Sequence, residues 1–255
     1  MRLELIAFLT IARRELRRIV RIWGQTLVPP AITMALYFII FGKLIGERLG
    51  PVGGHSYIDF IVPGLVMMSV ITNAYGNVSS SFFGAKFGRY VEEFMVAPLS
   101  PLTLLLGYLA GALLRGVLVG GLVLIVALFF TRLSIADLGV TLLALIAAAL
   151  IFGLAGFINA IYAKKFDDIS IIPTFVLTPL TYLGGVFYSV EMLPSPWREL
   201  SLVNPILYLV NAFRYGMLGT SDVSLGMAFL VMILGTLALG AMALALLHRG
   251  VGLRH

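Results

Sequence analysis

Six long apolar stretches constrain the fold of this chain more than any other feature of its sequence. Each is about 20 residues long, the length that an α-helix needs to cross a hydrocarbon layer about 30 Å thick. Of the 255 residues, 60% are hydrophobic and only 12% are charged, whereas about a quarter of the residues in a soluble domain carry charge. We therefore predict an all-α polytopic membrane protein, one domain over residues 1–255. The predicted transmembrane helices are residues 27–44, 60–82, 102–130, 138–163, 169–190 and 225–247.

The basic residues predict how these spans are oriented. Twelve of the 18 lysines and arginines lie before the first span, in the second-to-third and fourth-to-fifth connections, or in the tail. Lysine and arginine near span ends are retained on the cytoplasmic side. Both termini are therefore predicted to be cytoplasmic, and the net charge of +6 is explained by topology and by contact with anionic lipids, not by nucleic-acid binding.

Residues 1–24 have the pattern of an amphipathic helix that lies in the membrane interface. Leu5, Leu9 and Leu16 belong to an apolar series at steps of three and four residues, while five arginines between positions 13 and 21 gather on the other side. The apolar face would enter the acyl boundary and the arginines would meet phosphate headgroups. The alternative is a solvated basic tail.

The connection formed by residues 84–101 is predicted to be cytoplasmic. Its centre, residues 90–96, can form about two helical turns that carry Glu92 and Glu93 on one side, before Pro98 and Pro101 end the helix. Such a segment can dock on another protein. An ordinary solvated turn explains the charges equally well.

The spans contain little chemistry that an enzyme or an ion-coupled carrier would need. No aspartate or glutamate lies within the apolar core of any predicted span, although proton- and sodium-coupled carriers usually hold the ion with such a carboxylate. The histidines occur only at positions 55, 248 and 255, and cysteine is absent. The pattern thus predicts no catalytic residue, no metal site and no cofactor bound by the chain.

Polar residues within the spans are candidates for a substrate path. Asn73 and Asn77 are four residues apart in the second span, where asparagines line a path or hydrogen-bond between helices. Arg115 lies near the middle of the third span, where an uncompensated cation costs at least about 2.5 kcal/mol. It therefore faces protein or water, as part of a path, as an inter-subunit charge, or in a structural pairing or snorkelling position.

Residues 191–219 separate the fifth and sixth spans on the predicted extracytoplasmic side. Prolines divide the segment into two short pieces that meet near Asn204 and Pro205, and the second piece is apolar on most of one face. We predict two short re-entrant helices, with Tyr208 facing an outer exit and Arg214 anchoring the segment to carbonyl groups or headgroups. An interfacial helix lying flat is the alternative.

Several motifs together resemble the type-2 ATP-binding-cassette exporter permeases. They are the Leu193-Pro194 and Pro205-Ile206 pairs ten residues apart, the preceding "PLTYLGGVFYSVEMLP" and the cytoplasmic "YVEEFMVAPLS". "SSFFGAKF" and "KKFDDISIIPTFVLTPLTYLGGVFYS" are similar in particular to YadH-like bacterial permeases. Tyr90 departs from the threonine that is common in the family.

The resemblance implies a permease that forms a homodimer and pairs with two copies of a separate cytoplasmic ATPase, which binds ATP and magnesium. The chain itself has no phosphate-binding loop of the GxxxxGK[ST] type. The implied function is ATP-driven export of an amphiphile, a lipid-linked substrate or a drug across the bacterial inner membrane. Alternatives are a non-transporting scaffold or assembly factor and, less favoured, a secondary carrier. The expected coupling residues are Arg89, Glu92 and Glu93, and the expected path or gate residues are Asn73, Asn77, Arg115, Tyr208 and Arg214.

Overall fold

The computed structural model describes residues 2–91 and 99–252, and the long regular elements within them are helices. Two π-helical segments, Phe38–Ile45 and Pro173–Leu177, continue the helices that precede them. The α-helices are α1 (Arg2–Arg21), α2 (Trp23–Tyr37), α3 (Gly46–Leu49), α4 (Tyr57–Phe87), α5 (Pro101–Ala127), α6 (Leu138–Tyr162), α7 (Asp168–Ile172), α8 (Thr178–Tyr182), α9 (Trp197–Val203), α10 (Pro205–Leu218) and α11 (Leu225–Arg249).

Within the described residues, five helices are long and apolar enough to cross a membrane. They are Trp23–Gly42, which includes α2, and the helices α4, α5, α6 and α11. These correspond to the first, second, third, fourth and sixth predicted spans. Side chains that precede the helices set their starts, since Ser56, Ser100, Asp137 and Ser224 each accept a hydrogen bond from a first-turn backbone N–H.

The predicted fifth span, residues 169–190, is helical over only part of its length. The elements α7, Pro173–Leu177 and α8 follow one another without a break, giving about 22 Å of helix at 1.5 Å per residue. The prediction was wrong about where this helix ends. Gly185 has a φ of 71°, a left-handed conformation that turns the chain out of the helix. The chain then crosses α4 so closely that a Cβ on Gly64 would lie 2.6 Å from the carbonyl oxygen of Val186.

Contacts between helix termini define two ends of the bundle. At one of them, here called the α1 end, Lys86 of α4 donates hydrogen bonds of 2.6 and 2.8 Å to carbonyl groups at the finish of α6. Asn159 of α6 contacts the carbonyl of Ile169 there, at 3.4 Å. At the opposite end, the α9 end, the hydroxyl of Tyr182 lies 3.0 Å from that of Tyr37. The helical stretch from α7 to α8 therefore runs from one end of the bundle to the other.

The connections predicted to be extracytoplasmic meet at the α9 end. The backbone N–H of Asp137, before α6, donates to the carbonyl of Gly216 in α10 at 2.8 Å. The Tyr57 hydroxyl, at the start of α4, donates to the carbonyl of Phe187 at 2.9 Å. The two short helices expected around Asn204 and Pro205 are present there as α9 and α10, and α10 is largely buried.

Helix α4 forms the centre of the bundle and packs mainly against α5 and α6. Small residues let the backbones approach closely. A Cβ on Gly156 of α6 would lie 2.5 Å from the carbonyl oxygen of Tyr75, and one on Gly153 would lie 2.7 Å from the Cβ of Ala112 in α5. Close packing of this kind, together with hydrogen bonds, associates helices in a lipid environment.

Candidate functional site

One side of α4 is polar and is only partly covered by the other described helices. Thr72 is exposed, whereas Asn73, Gly76 and Ser80 are partly exposed, in a helix whose other residues are mostly buried. Steps of three and four residues place these positions on one side of a helix. This surface is called the α4 polar face.

Arg115 of α5 contacts the α4 polar face. Its Nε donates a hydrogen bond of 3.2 Å to the amide oxygen of Asn73, whose Nδ2 donates in turn to the carbonyl of Ser69 at 3.0 Å. The guanidinium is partly buried. Two predicted path residues are therefore brought together, and Arg115 has a protein partner within the bundle.

Asn77, the other predicted asparagine, is fully buried and does not line the polar face. Its amide oxygen and its backbone carbonyl both accept hydrogen bonds from Arg18 of α1, at 2.7 and 2.9 Å. Arg18 also donates to the hydroxyl of Ser80 at 3.3 Å. Of the two uses that the sequence left open for asparagines, Asn77 has the interhelical one.

Glu15 of α1 lies beside Asn77 and has no exposed surface. Its carboxylate accepts hydrogen bonds from Ser81 and from Asn77, the latter at 3.5 Å, and pairs with Arg14 and Arg18 at 3.4 and 3.3 Å. A buried carboxylate requires such partners, because burial without them is costly. Sequence reasoning missed this residue, although it lies four positions from both Ile11 and Ile19, the other buried residues of α1.

Two glycines of α5 allow α1 to pack closely against α5. A Cβ on Gly107 would lie 2.6 Å from the Cγ2 of Ile11, and one on Gly111 would lie 2.8 Å from the Nδ2 of Asn77 and 3.0 Å from the Cβ of Glu15. Any larger residue there would displace α1. A second face of α1 exposes leucines and valine, among them Leu5, Leu9, Leu16 and Val20. That this face enters the membrane interface stays a prediction.

Glu4 fixes the beginning of α1 to the beginning of α5. Its carboxylate accepts hydrogen bonds from the backbone N–H and the hydroxyl of Ser100, at 3.0 and 3.1 Å, and from the hydroxyl of Thr103. The hydrogen bond from Thr103, followed by those from Ser100, lowers the pKa of the Glu4 carboxyl. Helix α1 is thus attached to the bundle at Glu4, Ile11 and Glu15.

Arg214 is buried at the α9 end, where it joins three elements. Its Nη2 donates a 2.5 Å hydrogen bond to the carbonyl of Gly185, and its guanidinium lies 4.0 Å from the centre of the Phe60 ring of α4. A cation over an aromatic face is attracted by the ring quadrupole. Asn211, 3.5 Å from Arg214, also accepts from the backbone N–H of Asp222 at 2.9 Å. The side chain ties α10 to the carbonyl of Gly185 and to α4.

Tyr208 is partly exposed on α10. Its hydroxyl donates to the carbonyl of Leu202 in α9, at 2.8 Å, which holds the two short helices together.

Of the predicted coupling residues, only Arg89 falls within the described part of the chain, where it lies at the α1 end. Arg89 follows α4 with a φ of 61° and its backbone N–H donates to the carbonyl of Lys86 at 3.1 Å. It lines a cavity of about 590 Å³ that also includes Lys86 and Lys164. Glu92 and Glu93 lie outside the described residues.

Comparison with known proteins agrees with this architecture. Residues 6–218 match the ABC-2 type transporter family. The chain is 53% identical over 254 residues to the "Inner membrane transport permease YadH" of Escherichia coli K12, covering 100% of this chain and 99% of that protein. It is 26% identical over 185 residues to "Nodulation protein J" of Rhizobium leguminosarum bv. viciae, covering 72% of this chain and 71% of the relative. This chain therefore belongs to the ABC-2 type transporter family, whose members are the membrane permease subunits of ATP-binding-cassette transporters.

Proposed function

We propose that the chain is the permease of an ATP-driven exporter in the bacterial inner membrane. Two copies would form the membrane unit, and each would pair with one copy of a separate cytoplasmic ATPase that binds ATP and magnesium. The observation that carries the proposal is the α4 polar face joined to Arg115, within a chain that is similar over its full length to an inner membrane transport permease.

The α4 polar face is the evidence for a substrate path between two permease copies. Polar residues at membrane depth need protein or water around them, and in one copy the other described helices cover this face only in part. The neighbouring stretch from α7 to α8 exposes large apolar side chains, with Phe175 74% exposed and Ile171 50% exposed. A second copy that packs on these apolar residues would enclose the polar face.

The topology in the proposal has six crossings and cytoplasmic termini. It counts the stretch from α7 to α8 as a crossing, because its contacts lie at opposite ends of the bundle. The α1 end, with its arginines and Lys86, would be cytoplasmic. The α9 end, with Tyr208 and Arg214, would form the outer exit. Residues 84–101, including Arg89, Glu92 and Glu93, would receive the movement of the ATPase.

Assembly and ATP hydrolysis test the proposal together. The tagged permease, expressed with a candidate cytoplasmic ATPase of the ATP-binding-cassette type, is expected to copurify with that ATPase. The reconstituted complex should hydrolyse ATP faster when an exported amphiphile is added. The matched control is an ATPase whose phosphate-binding lysine is replaced by alanine. Copurification without any stimulation of ATP hydrolysis by lipids, glycolipids or drugs would favour a scaffold. Failure to copurify would refute the pairing with the ATPase.

A further inference from the structure

A cavity of about 710 Å³ lies between α1 and α4 at the α1 end. Ser80, Ser81 and Gly84 of α4 line one wall. The wall opposite is formed by arginines of α1, namely Arg13, Arg14, Arg17, Arg18 and Arg21. Amphipathic patterning predicts that these arginines lie against lipid headgroups. In the structure they line a cavity that is open to the outside, and Arg13, Arg17 and Arg21 are exposed.

The positive charge around this cavity exceeds the negative charge that the described residues supply. Glu15 is the carboxylate that pairs with the arginines there, and it engages Arg14 and Arg18. Within residues 2–91 and 99–252, no hydrogen bond or ion pair involves the side chains of Arg13, Arg17 or Arg21. Several like charges around one cavity raise the local concentration of anions.

The donor groups favour phosphate among anions. A guanidinium presents a planar fork of N–H donors that matches phosphate oxygens in pairs, and several guanidiniums can share one phosphate. The same helix exposes Leu9, Leu16 and Val20 on its outer face. A ligand with a phosphate headgroup and apolar chains would thus find donors inside the cavity and an apolar surface beside it.

The cationic lining continues toward the middle of the bundle. Arg18, at the inner wall of the cavity, hydrogen-bonds to Asn77, and Arg115 hydrogen-bonds to Asn73 one helical turn further along α4. Each of these guanidiniums therefore lies beside α4, at successive depths, so that an anionic group leaving the cavity would meet a second cation.

We propose that the cavity between α1 and α4 binds the phosphate headgroup of an anionic amphiphile, and that this amphiphile is the exported substrate. The second half rests on the function proposed above, whereas binding to the permease does not. Phosphate chemistry could be supplied by an amphiphile or by free phosphate, and the acidic surface of a protein partner is the competing occupant.

Thiol protection tests the binding directly, because the chain has no cysteine of its own. A Cβ on Gly84 meets nothing within 4 Å, so Gly84→Cys places a thiol in the cavity without a clash. Gly226→Cys, where a Cβ is equally free, is the matched control at the start of α11. Purified permease without the ATPase is treated with a thiol reagent in the presence of dihexanoyl phosphatidic acid, dihexanoyl phosphatidylcholine or inorganic phosphate.

Phosphatidic acid alone is expected to protect Gly84→Cys, with no protection of Gly226→Cys. Equal protection by phosphatidylcholine, or no protection by phosphatidic acid, would overturn the proposal. Protection by inorganic phosphate at the same concentration would assign the site to free phosphate and refute an amphiphile as its ligand. Protection by the purified ATPase, with none by phosphatidic acid, would assign the arginines to a protein partner instead.

Charge removal supplies the second readout. Arg17→Gln with Arg21→Gln, introduced into Gly84→Cys, breaks no hydrogen bond or ion pair of the described residues. It should weaken protection by phosphatidic acid about tenfold, the loss typical of removing charged hydrogen-bond donors. Arg249→Gln, at the end of α11 and away from the cavity, is the control and should leave protection unchanged. Equal protection in the double variant would overturn the role of the arginines. If binding persists while the assembled complex shows no ATPase stimulation, the exporter proposal fails and the binding site stands.

Discussion

Replacing Glu15 should release α1 from the bundle, because this carboxylate is the buried centre of the contacts between α1 and α4. In Glu15→Leu, the hydroxyl of Ser81 and the amide of Asn77 lose their acceptor, and Arg18 loses its carboxylate partner. Breaking a fully buried ion pair costs about 3–5 kcal/mol. Arg18 and Arg14 are 26% and 41% exposed, so water replaces part of what is lost. We therefore expect Glu15→Leu to weaken the docking of α1 on the bundle by about 2–3 kcal/mol.

Trypsin can measure this detachment, since α1 carries five arginines between positions 13 and 21. When local opening is fast compared with cleavage, the cleavage rate follows the population of the open state. A loss of about 2 kcal/mol corresponds to roughly 30-fold faster cleavage within α1. Glu15→Gln, which keeps an acceptor for Ser81, should lie between Glu15→Leu and the wild type.

Leu16→Met is the matched control, because Leu16 follows Glu15 and is 42% exposed, and methionine keeps the position apolar. It should be cleaved at the wild-type rate. The reasoning would be refuted if Glu15→Leu were cleaved within about threefold of the wild type, since that is less than 1 kcal/mol. Combining Glu15→Gln with Ser81→Ala should cost less than the sum of the single changes, because the two side chains share one hydrogen bond.

Three further changes test other contacts. Arg115→Leu should lower substrate-stimulated ATP hydrolysis whereas Arg115→Lys should retain part of it, and equal activity in both variants would mean that the arginine has only a structural role. Gly107→Val should lower the Tm of the purified permease, because a Cβ there lies 2.6 Å from a methyl group of Ile11, while Gly121→Val, which meets nothing within 4 Å, should not. Reversing Glu92 and Glu93 to lysine should abolish ATPase stimulation without reducing membrane insertion, and unchanged stimulation would remove them from coupling.

The long helices were predictable because membrane spanning requires about 20 apolar residues in sequence. The fifth stretch was the exception. Its apolar residues continue to Val190, but Gly184 and Gly185 end the helix after Tyr182. Hydropathy scores glycine as nearly neutral and takes no account of backbone conformation, so it cannot register a left-handed turn.

The polar contacts were less predictable, because their partners are far apart in sequence. Asn73 and Asn77 are the same residue type, one helical turn apart, and the sequence does not distinguish them. Asn73 accepts a hydrogen bond from Arg115 at the α4 polar face, whereas Asn77 is buried and accepts from Arg18. Glu15 lies in a stripe with two isoleucines, which indicates burial, but Ser81 is 66 residues away. Periodicity identifies the buried side of a helix without identifying the group that it meets.

Arg18 connects the attachment of α1 with the proposed phosphate site. The same guanidinium donates to Asn77, pairs with Glu15 and lines the arginine cavity. A phosphate that takes hydrogen bonds from Arg18 would compete with Asn77 and Glu15 for them, so binding in the cavity and docking of α1 cannot be independent. Because such coupling is reciprocal, a ligand that loosens α1 would bind more tightly when α1 is already loosened. The cavity would then sense the position of α1, and α1 is joined through Glu4 to the start of α5 at the end of the bundle proposed to meet the ATPase.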